Sequence, residues 1–396
     1  MSKSISEKAL SCIWPFYTSK LCNLSSCEDF WVVFLIVDLL IVMENWYYRK
    51  CQNAVLCSLA EYTSCASEVI DMDASVSKIA QAKVPFAAQF ENPFHIEDLE
   101  VFDDEALWVI LSNGGFGLTV EKVAQSLHGA PEVLIQRIRR NLPLSQRPCF
   151  TAELRKSIPE EQVVAARRCV LDGLFWELTY WKTPELYNEL TAGEQLHPGI
   201  FQQLEPDICS KIVLDAGAGG GRASFECVRY GARRVYAVEP SPGLLGILQQ
   251  KLASQPAFRW IVPLRGRFDK LPLADDSVDT SLSCSAFTAE PAQGGEPGLA
   301  EFRRVTRPGG KIVIIWPRVQ DYDWLAEHGF QHVTLPIHEE MRVRFSSLQS
   351  ALRCAGHFYA RNENVVHHLL RERKPEIPFS VLGFNPPCDY CWRLAK

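Results

Sequence analysis

The clearest pattern of apolar and polar positions lies in residues 211–242. The run "KIVLD" is short, apolar and ended by Asp215, which is typical of a buried parallel strand whose carboxyl end meets a ligand. A glycine-rich turn follows, then "RASFECVRYGA" as a helix, then "RRVYAVEP", which predicts a second strand ending at Glu239. The pattern therefore predicts a strand, a turn, a helix and a second strand, with a ligand site beyond Leu214.

Residues 118–142 contain two short amphipathic segments in the form of a helix-turn-helix. Thr119 is placed to cap the first helix, and Pro131 suits the first turn of the second. Contact with nucleic acid phosphates is one interpretation. A solvated helix face in a dimerisation or lid module is the other, and the modest local charge favours it. The residues that the first interpretation assigns to phosphates are Gln136, Arg137, Arg139 and Arg140.

A third apolar run, "FWVVFLIVDLLIV" in residues 30–42, is short for a membrane span. As a helix it reaches about 20 Å, against a hydrocarbon core of about 30 Å. Acidic Glu28 and Asp29 precede it, where a signal peptide carries lysines. Three interpretations stay open: a buried or partner-covered helix, membrane insertion, and a poorly ordered extension.

Composition changes this picture little, because 396 residues with 47% hydrophobic and 22% charged content describe an ordinary globular chain of two or three domains. The net charge of −6 excludes a global attraction to nucleic acid or to anionic membranes. Fourteen cysteines are scattered through a long chain without a recognisable signal peptide, which favours reduced thiols and a cytoplasmic location.

The turn after the first strand contains Gly217, Gly219 and Gly221, which allow the backbone to turn sharply and to approach a ligand closely. Glu239, at the end of the second strand, has two carboxylate oxygens that can accept hydrogen bonds from both hydroxyls of a ribose. The combination predicts a site for an adenosine moiety.

Two residues beside these glycines distinguish between the cofactors that contain adenosine. A dinucleotide fingerprint requires a further glycine where this chain has Arg222, which disfavours NAD. Asp215 repels a pyrophosphate but suits a cofactor with a cationic amino acid group. S-adenosylmethionine satisfies both conditions.

These motifs, in this order, resemble the class I S-adenosylmethionine-dependent methyltransferases, in particular the small type 11 domains, over residues 211–345. "VLDAGAGGG" and "VYAVEPSP" are similar to the first and second motifs. The adenine-side loop and fourth strand of the family resemble "RGRFDKLPLADDSVDTSLSCSAF" in this chain. The segment that leads into the fifth strand resembles "EFRRVTRPGGKIVIIWP". The resemblance implies an α/β fold with a Rossmann-like seven-stranded sheet, helices on both faces, and a mainly α-helical region before it. "HVTLPI" and "MRVRF" are expected to complete the sheet as antiparallel edge strands.

The resemblance also implies which residues bind the cofactor. They are Asp215, Gly217, Gly219, Gly221, Glu239, Pro240, Ser241, Phe268 and Cys284. One departure concerns the adenine, because Arg267 stands where the family often has an acid. Either Asp269 or the backbone at Phe268 is then expected to contact the base. For Cys284, a buried and inert thiol is favoured over nucleophilic chemistry.

The implied activity is methyl transfer from S-adenosylmethionine to a small-molecule acceptor, and no catalytic residue is assigned, because such transfer depends mainly on positioning. Trp176, Trp181 and Tyr187 form either an aromatic lid over the acceptor or ordinary core. His197 is either a base or, as its place at a helix end favours, a structural histidine. Two rival functions stay open: a DNA-binding regulator that senses S-adenosylmethionine, and a NAD-dependent oxidoreductase.

The predicted organisation has four parts. Residues 1–90 are an N-terminal extension, residues 91–204 a helical module for dimerisation or lid closure, residues 205–360 the sheet domain, and residues 361–396 a C-terminal tail. In the tail, "CDYC" is interpreted as a pair of unligated cysteines, since no second pair completes a zinc site. A homodimer is compatible with this organisation, and a membrane contact is disfavoured.

Overall fold

A central sheet carries the predicted motifs at the carboxyl ends of its parallel strands. The structure, a computed structural model, describes residues 92–112 and 115–395. The interpretations of residues 1–90, including the apolar run 30–42, lie outside the described residues. In the described part of the chain the strands are β1 (Ile212–Ala216), β2 (Arg234–Glu239), β3 (Ile261–Arg265), β4 (Val278–Cys284), β5 (Thr306–Ile315), β6 (Gln331–Thr334), β7 (Arg342–Arg344), β8 (Glu376–Pro378) and β9 (Asp389–Leu394).

Seven of these strands form one sheet in the order β3-β2-β1-β4-β5-β9-β6. Strands β1 to β5 run parallel to one another, and β9 is antiparallel to both β5 and β6. Strands β7 and β8 pair in a separate two-stranded sheet. The predicted α/β class, with a seven-stranded Rossmann-like sheet, is confirmed.

Helices pack on both faces of the sheet and form a layer before it. Within residues 92–112 and 115–395, no helix is long and apolar enough to cross a bilayer. A 3₁₀ helix spans Ile96–Val101. The α-helices of the described residues are α1 (Asp104–Ser112), α2 (Val120–Ser126), α3 (Glu132–Asn141), α4 (Arg147–Leu154), α5 (Glu160–Gly173), α6 (Phe175–Lys182), α7 (Pro184–Gly193), α8 (Gly199–Ile208), α9 (Arg222–Arg229), α10 (Pro242–Ser254), α11 (Gly295–Val305), α12 (Tyr322–Glu327), α13 (Leu348–Phe358), α14 (Glu363–Glu372) and α15 (Phe379–Leu382).

Alternate residues of the central strands pack into two different cores, one on each face of the sheet. Val213 and Leu282 pack with residues of α8, α9 and α10. Leu214 and Ile314 pack with residues of α11 and α12. All four side chains are almost completely buried. Because both faces are covered, successive residues of β1 and β4 are buried, and buried positions do not alternate with exposed ones.

The last two strands of the sheet differ from the prediction. The segment "QHVT" forms the edge strand β6, but "RVR" forms β7 in the small sheet, and its expected place is taken by β9. Cys391 in β9 pairs with Ile314 on one side and with His332 on the other, and its side chain is buried. The interpretation of residues 361–396 as a tail is therefore wrong, because the sheet needs β9 to cover the edge of β5.

The helices before the sheet have a hydrophobic core of their own. Leu107, Leu134 and Phe150 are buried in it, at 1% exposure or less. The hydroxyl of Thr119 accepts a hydrogen bond from the N–H of Lys122 and caps α2, as predicted. This region therefore folds around its own apolar side chains as well as against the sheet domain.

Two of the side chains considered for phosphate contact are engaged inside this helical region. Arg137 and Arg140 both donate to the carboxylate of Asp104, at 3.1 and 2.7 Å. Arg137 also donates to the carbonyl of Glu100 at 2.8 Å. These bonds hold α3 against α1 and its preceding turn, which favours a structural role of the helix-turn-helix-like segment over contact with DNA.

Ending the chain at Cys388 is expected to abolish cooperative folding of the sheet. The truncation exposes the paired edge of β5 and leaves β6 without a neighbour. Thermal unfolding followed by circular dichroism should show no cooperative transition. Leu394→Ser changes the same strand at a side chain that is 53% exposed, so this control should unfold within a few degrees of wild type. A truncated chain with the wild-type midpoint would contradict the role given to β9.

Candidate functional site

The predicted site residues meet where the parallel strands end. Asp215 near the end of β1 lies beside Ala237 of β2 and Leu282 of β4 in the strand registers. Glu239 and Cys284 are the last residues of β2 and β4. Because ligands of doubly wound sheets bind outside the carboxyl ends of the strands, this arrangement is the candidate site.

The glycines of the turn after β1 have different physical reasons to be glycine. Gly217, Gly219 and Gly221 have φ angles of 71°, 53° and 92°, a region that other residues rarely adopt. A Cβ on Gly217 would lie 2.6 Å from Cβ of Ala286, whereas a Cβ on Gly219 would meet only Cε1 of Tyr187, at 3.9 Å. Gly217 is thus needed for packing, and Gly219 leaves space in front of the backbone.

Glu239 is buried, and backbone groups of the two adjacent turns hold its carboxylate. One oxygen accepts the N–H of Gly219 at 2.8 Å, and the other accepts the N–H of Ser241 at 2.9 Å. Burial raises the pKa of Glu239 to about 7, although these two bonds act in the opposite direction. Each oxygen keeps a further lone pair for a ligand hydroxyl, so the carboxylate fits a ribose.

Asp215 is enclosed more completely than the sequence suggested. One of its oxygens accepts the hydroxyl of Ser224 at 2.6 Å, and the other is buried without a hydrogen-bond partner. Burial raises its pKa to about 6. The unpaired acceptor suits a donor such as an ammonium group. Because the side chain has no exposed surface, direct contact with a ligand requires the glycine turn to move.

Phe268 and its neighbours form the side of the site that the sequence assigns to adenine. The ring of Phe268 lies 3.0 Å from the position of a Cβ on Gly217 and packs edge-on against Phe287, with ring centroids 5.5 Å apart. Asp269 is paired with Arg267, whose Nε donates to it at 3.0 Å. This ion pair engages the carboxylate, which favours the backbone at Phe268 as the contact to the base.

Arg222, which the sequence used only to disfavour NAD, projects into the space between the turn and β4. Its guanidinium donates to a carboxylate oxygen of Glu194 at 3.3 Å and to the hydroxyl of Ser285 at 2.5 Å. It also lies 5.7 Å from the ring centroid of Trp316. Burial raises the pKa of the neighbouring Cys284 thiol, which favours the inert thiol over a nucleophile.

Helices α6 and α7 approach the site from the N-terminal helical region. The hydroxyl of Ser241 donates to the carbonyl of Tyr180 at 2.7 Å and so ties α6 to the turn after β2. Tyr180 and Tyr187 pack at 4.7 Å between ring centroids, with Trp176 beside both. Trp181 does not join them, because its ring packs on Phe102, at 5.4 Å.

Glu177 on α6 is a site residue that the sequence-based prediction missed. It is half-buried, and no hydrogen bond or ion pair to it is present within the described residues. Burial raises its pKa to about 7, and it lies near enough to raise the pKa of Glu239 as well. The signal available in the sequence is that Glu177 is the one carboxylate in the aromatic-rich segment "FWELTYW".

The side chains of His197 and Ser241 have structural contacts at helix starts. His197 Nδ1 accepts the N–H of Gly199 at 3.1 Å at the start of α8, which favours the structural interpretation over a base. Pro240 separates Glu239 from Ser241, whose hydroxyl accepts the N–H of Leu244 and caps α10.

Comparison with known proteins gives partial matches centred on the sheet. Residues 214–314 match the family described as a methyltransferase domain. An uncharacterized methyltransferase of Mycobacterium tuberculosis (strain ATCC 25618 / H37Rv) is 35% identical over 122 residues, 30% of this chain and 46% of the relative. Malonyl-[acyl-carrier protein] O-methyltransferase of Yersinia pestis is 36% identical over 109 residues, 26% of this chain and 35% of the relative.

Solved structures also match a part of this chain. The crystal structure of a SAM dependent methyltransferase from Aquifex aeolicus has a TM-score of 0.33 and 18% identity, covering 39% of this chain and 91% of that chain. The chain spans less than half the length of the two curated relatives named above.

Substitution of the glycines by alanine is expected to separate packing from ligand access. Gly217→Ala should lower the melting temperature, because its Cβ overlaps the Cβ of Ala286 and approaches the ring of Phe268. Gly219→Ala strains the backbone by about 1 kcal/mol but meets no close neighbour, so its melting temperature should fall less. Differential scanning calorimetry measures both. Equal losses in the two variants would contradict the packing role of Gly217.

Binding of S-adenosylhomocysteine is expected to strengthen as the pH rises through about 7, because the ribose hydroxyls donate to the ionised form of Glu239. Below the pKa, the dissociation constant should change by up to about tenfold per pH unit. Asp215, with a pKa of about 6, acts in the same direction at lower pH. Isothermal titration calorimetry at a series of pH values measures the effect. Glu239→Gln should flatten the profile near pH 7, and an unchanged profile would reject the ribose role.

Proposed function

We propose that the protein transfers the methyl group of S-adenosylmethionine to a small-molecule acceptor held under α6 and α7, hereafter the lid helices, because residues 214–314 match a methyltransferase domain. The observation that carries the proposal is the carboxylate of Glu239, which is held at the end of β2 by the N–H of Gly219 and retains lone pairs for a ribose. The lid role of residues 91–204 and a cytoplasmic location belong to the same proposal.

The proposed cofactor-binding residues lie at or just after the ends of β1, β2, β3 and β4. Glu239 would accept the ribose hydroxyls, while Gly219 leaves room for a ligand against the turn. The backbone at Phe268 would contact the adenine, and Cys284 would border the methionine part from the end of β4. When bound, S-adenosylmethionine supplies an electrophilic methyl group on a positively charged sulfur.

The lid helices would supply the surface that binds the methyl acceptor. The ring of Tyr187 lies beside the glycine turn, 3.9 Å from the position of a Cβ on Gly219, and packs against Tyr180. Trp176 extends this surface toward Phe358, with which it stacks at 5.5 Å. Such a surface holds an acceptor in place and excludes water from it, which is the main contribution a protein makes to methyl transfer. Glu177, with its raised pKa and without a hydrogen-bond partner, is the group here that can take a proton from an acidic acceptor.

Two measurements test this function. Isothermal titration calorimetry should show binding of S-adenosylhomocysteine and none of NADH. Glu239→Ala should weaken that binding by about 2–4 kcal/mol, because a charged acceptor of hydroxyl groups is lost. Glu205→Ala removes an exposed carboxylate on α8 and serves as the matched control, for which no change is expected.

Transfer itself is measured with S-adenosylmethionine labelled in the methyl group and the low-molecular-weight fraction of a cell extract as the acceptor source. Label should appear in a small molecule, and Glu177→Gln should lower the rate more than it changes the affinity for S-adenosylhomocysteine. Binding of NADH without S-adenosylhomocysteine would overturn the proposed cofactor, and label that appears only in macromolecules would overturn the proposed acceptor class.

A further inference from the structure

A cavity of about 620 Å³ lies beside the glycine turn, in the region between α7, α8, α9 and α10. Gly220 and Arg222 form the wall that it shares with the turn, and the segment after α7 forms another. None of the residues that the proposed function assigns to the cofactor lines this cavity. It is therefore a separate space next to the cofactor site.

The positive and negative charges of the side chains that line the cavity are not all paired with one another. Glu194 is paired with Arg222, at 3.3 Å, and Glu226 is paired with Arg229. Lys251 has no acidic partner within the described residues. Its ammonium group instead donates to neutral oxygens: the side chain of Asn188 at 2.6 Å and the carbonyl of Gly220 at 2.8 Å.

The surroundings of Lys251 favour the binding of an anion to its ammonium group. Its side chain is half-buried, and burial lowers the pKa of the ammonium group. A partly desolvated cation without a counter-ion is electrostatically unfavourable, and a bound anion would relieve this cost. His197 adds a donor to the same lining, because its Nδ1 already accepts the N–H of Gly199, which leaves the proton of the neutral ring on Nε2.

Aromatic and aliphatic side chains form one part of the remaining lining, beside polar residues such as Thr191 and Gln195. Phe201 and Tyr230 pack with ring centroids 5.9 Å apart, and Leu196, Pro198 and Phe225 continue the surface. A ligand that fits this lining has one anionic head and a hydrophobic body, since the lining combines one unneutralised cation with a wall of rings and aliphatic groups.

We propose that this cavity binds a small amphipathic anion, whose carboxylate or phosphate contacts Lys251 and whose apolar body packs against Phe201 and Tyr230. The site adjoins the glycine turn through the bond between Lys251 and the carbonyl of Gly220. Its occupation does not depend on methyl transfer, so it can be tested independently of the proposed function.

The test uses benzoate and phenyl phosphate as anionic probes and benzamide as the uncharged analogue, titrated calorimetrically into the full chain. Both anions should bind saturably, and benzamide should bind at least about tenfold more weakly, because it lacks the charge that Lys251 recognises. Lys251→Met should weaken binding of the anions by a similar factor. Lys122→Met removes an exposed lysine of α2, far from this lining in the sequence, and should leave the affinity unchanged.

A second variant tests the proposal without removing the bond between Lys251 and the glycine turn. Gln255 lines the cavity at the end of α10 and is exposed, and no side-chain bond to the turn is present there. Gln255→Glu introduces a negative charge and should weaken binding of both anions while the affinity for S-adenosylhomocysteine stays at the wild-type value.

Absence of saturable binding for both anions would overturn the proposal. Equal affinities of the wild type and of Gln255→Glu for the anions would also overturn it. Anion binding by a protein that fails to bind S-adenosylhomocysteine would leave this site standing and reject the proposed function.

Discussion

The buried carboxylate of Glu239 connects the end of β2 to the turns on both sides of the candidate site. One oxygen holds the N–H of Gly219, and the other holds the N–H of Ser241. Ser241 in turn donates its hydroxyl to the carbonyl of Tyr180 on α6. A buried carboxylate is costly unless it is hydrogen-bonded, and here the bonds that offset the cost also set the positions of the glycine turn, of α10 and of α6. The shape of the site therefore depends on this one side chain.

The elements that follow from local pattern were predictable from the sequence, and those that depend on distant partners were not. Strands β1 and β2 are continuous apolar runs ended by acids, a pattern that burial on both faces produces directly. Strand β9 is different, because "DYCWRL" mixes charged and aromatic residues. Its membership in the sheet is decided by pairing with β5 and β6, which a local pattern does not contain. The small sheet of β7 and β8 escaped prediction for the same reason.

The residues of the candidate site also fall into those that the sequence predicted and those that it did not. Asp215, the glycines and Glu239 are close in sequence, and the strand–turn–helix geometry alone brings them together. Glu177 and Lys251 lie on helices whose approach to the sheet is set by tertiary packing. The residue type of Lys251 carried no sign of its surroundings, because an isolated lysine on a helix is usually solvated. The predicted direct contact of Asp215 with a ligand also overlooked how fully the sheet encloses that side chain.

The position of β9 in the sheet has a consequence for the kinetics of folding. Ile314 of β5 pairs with Cys391, roughly 80 residues later along the chain, so this contact has a high sequence separation and a large entropy of loop closure. The parallel core can assemble before the contact forms, and during that interval the free edge of β5 presents the apolar segment "IVII" to other chains. Productive folding and self-association then compete for the same strand edge, which makes the yield of refolding a function of protein concentration.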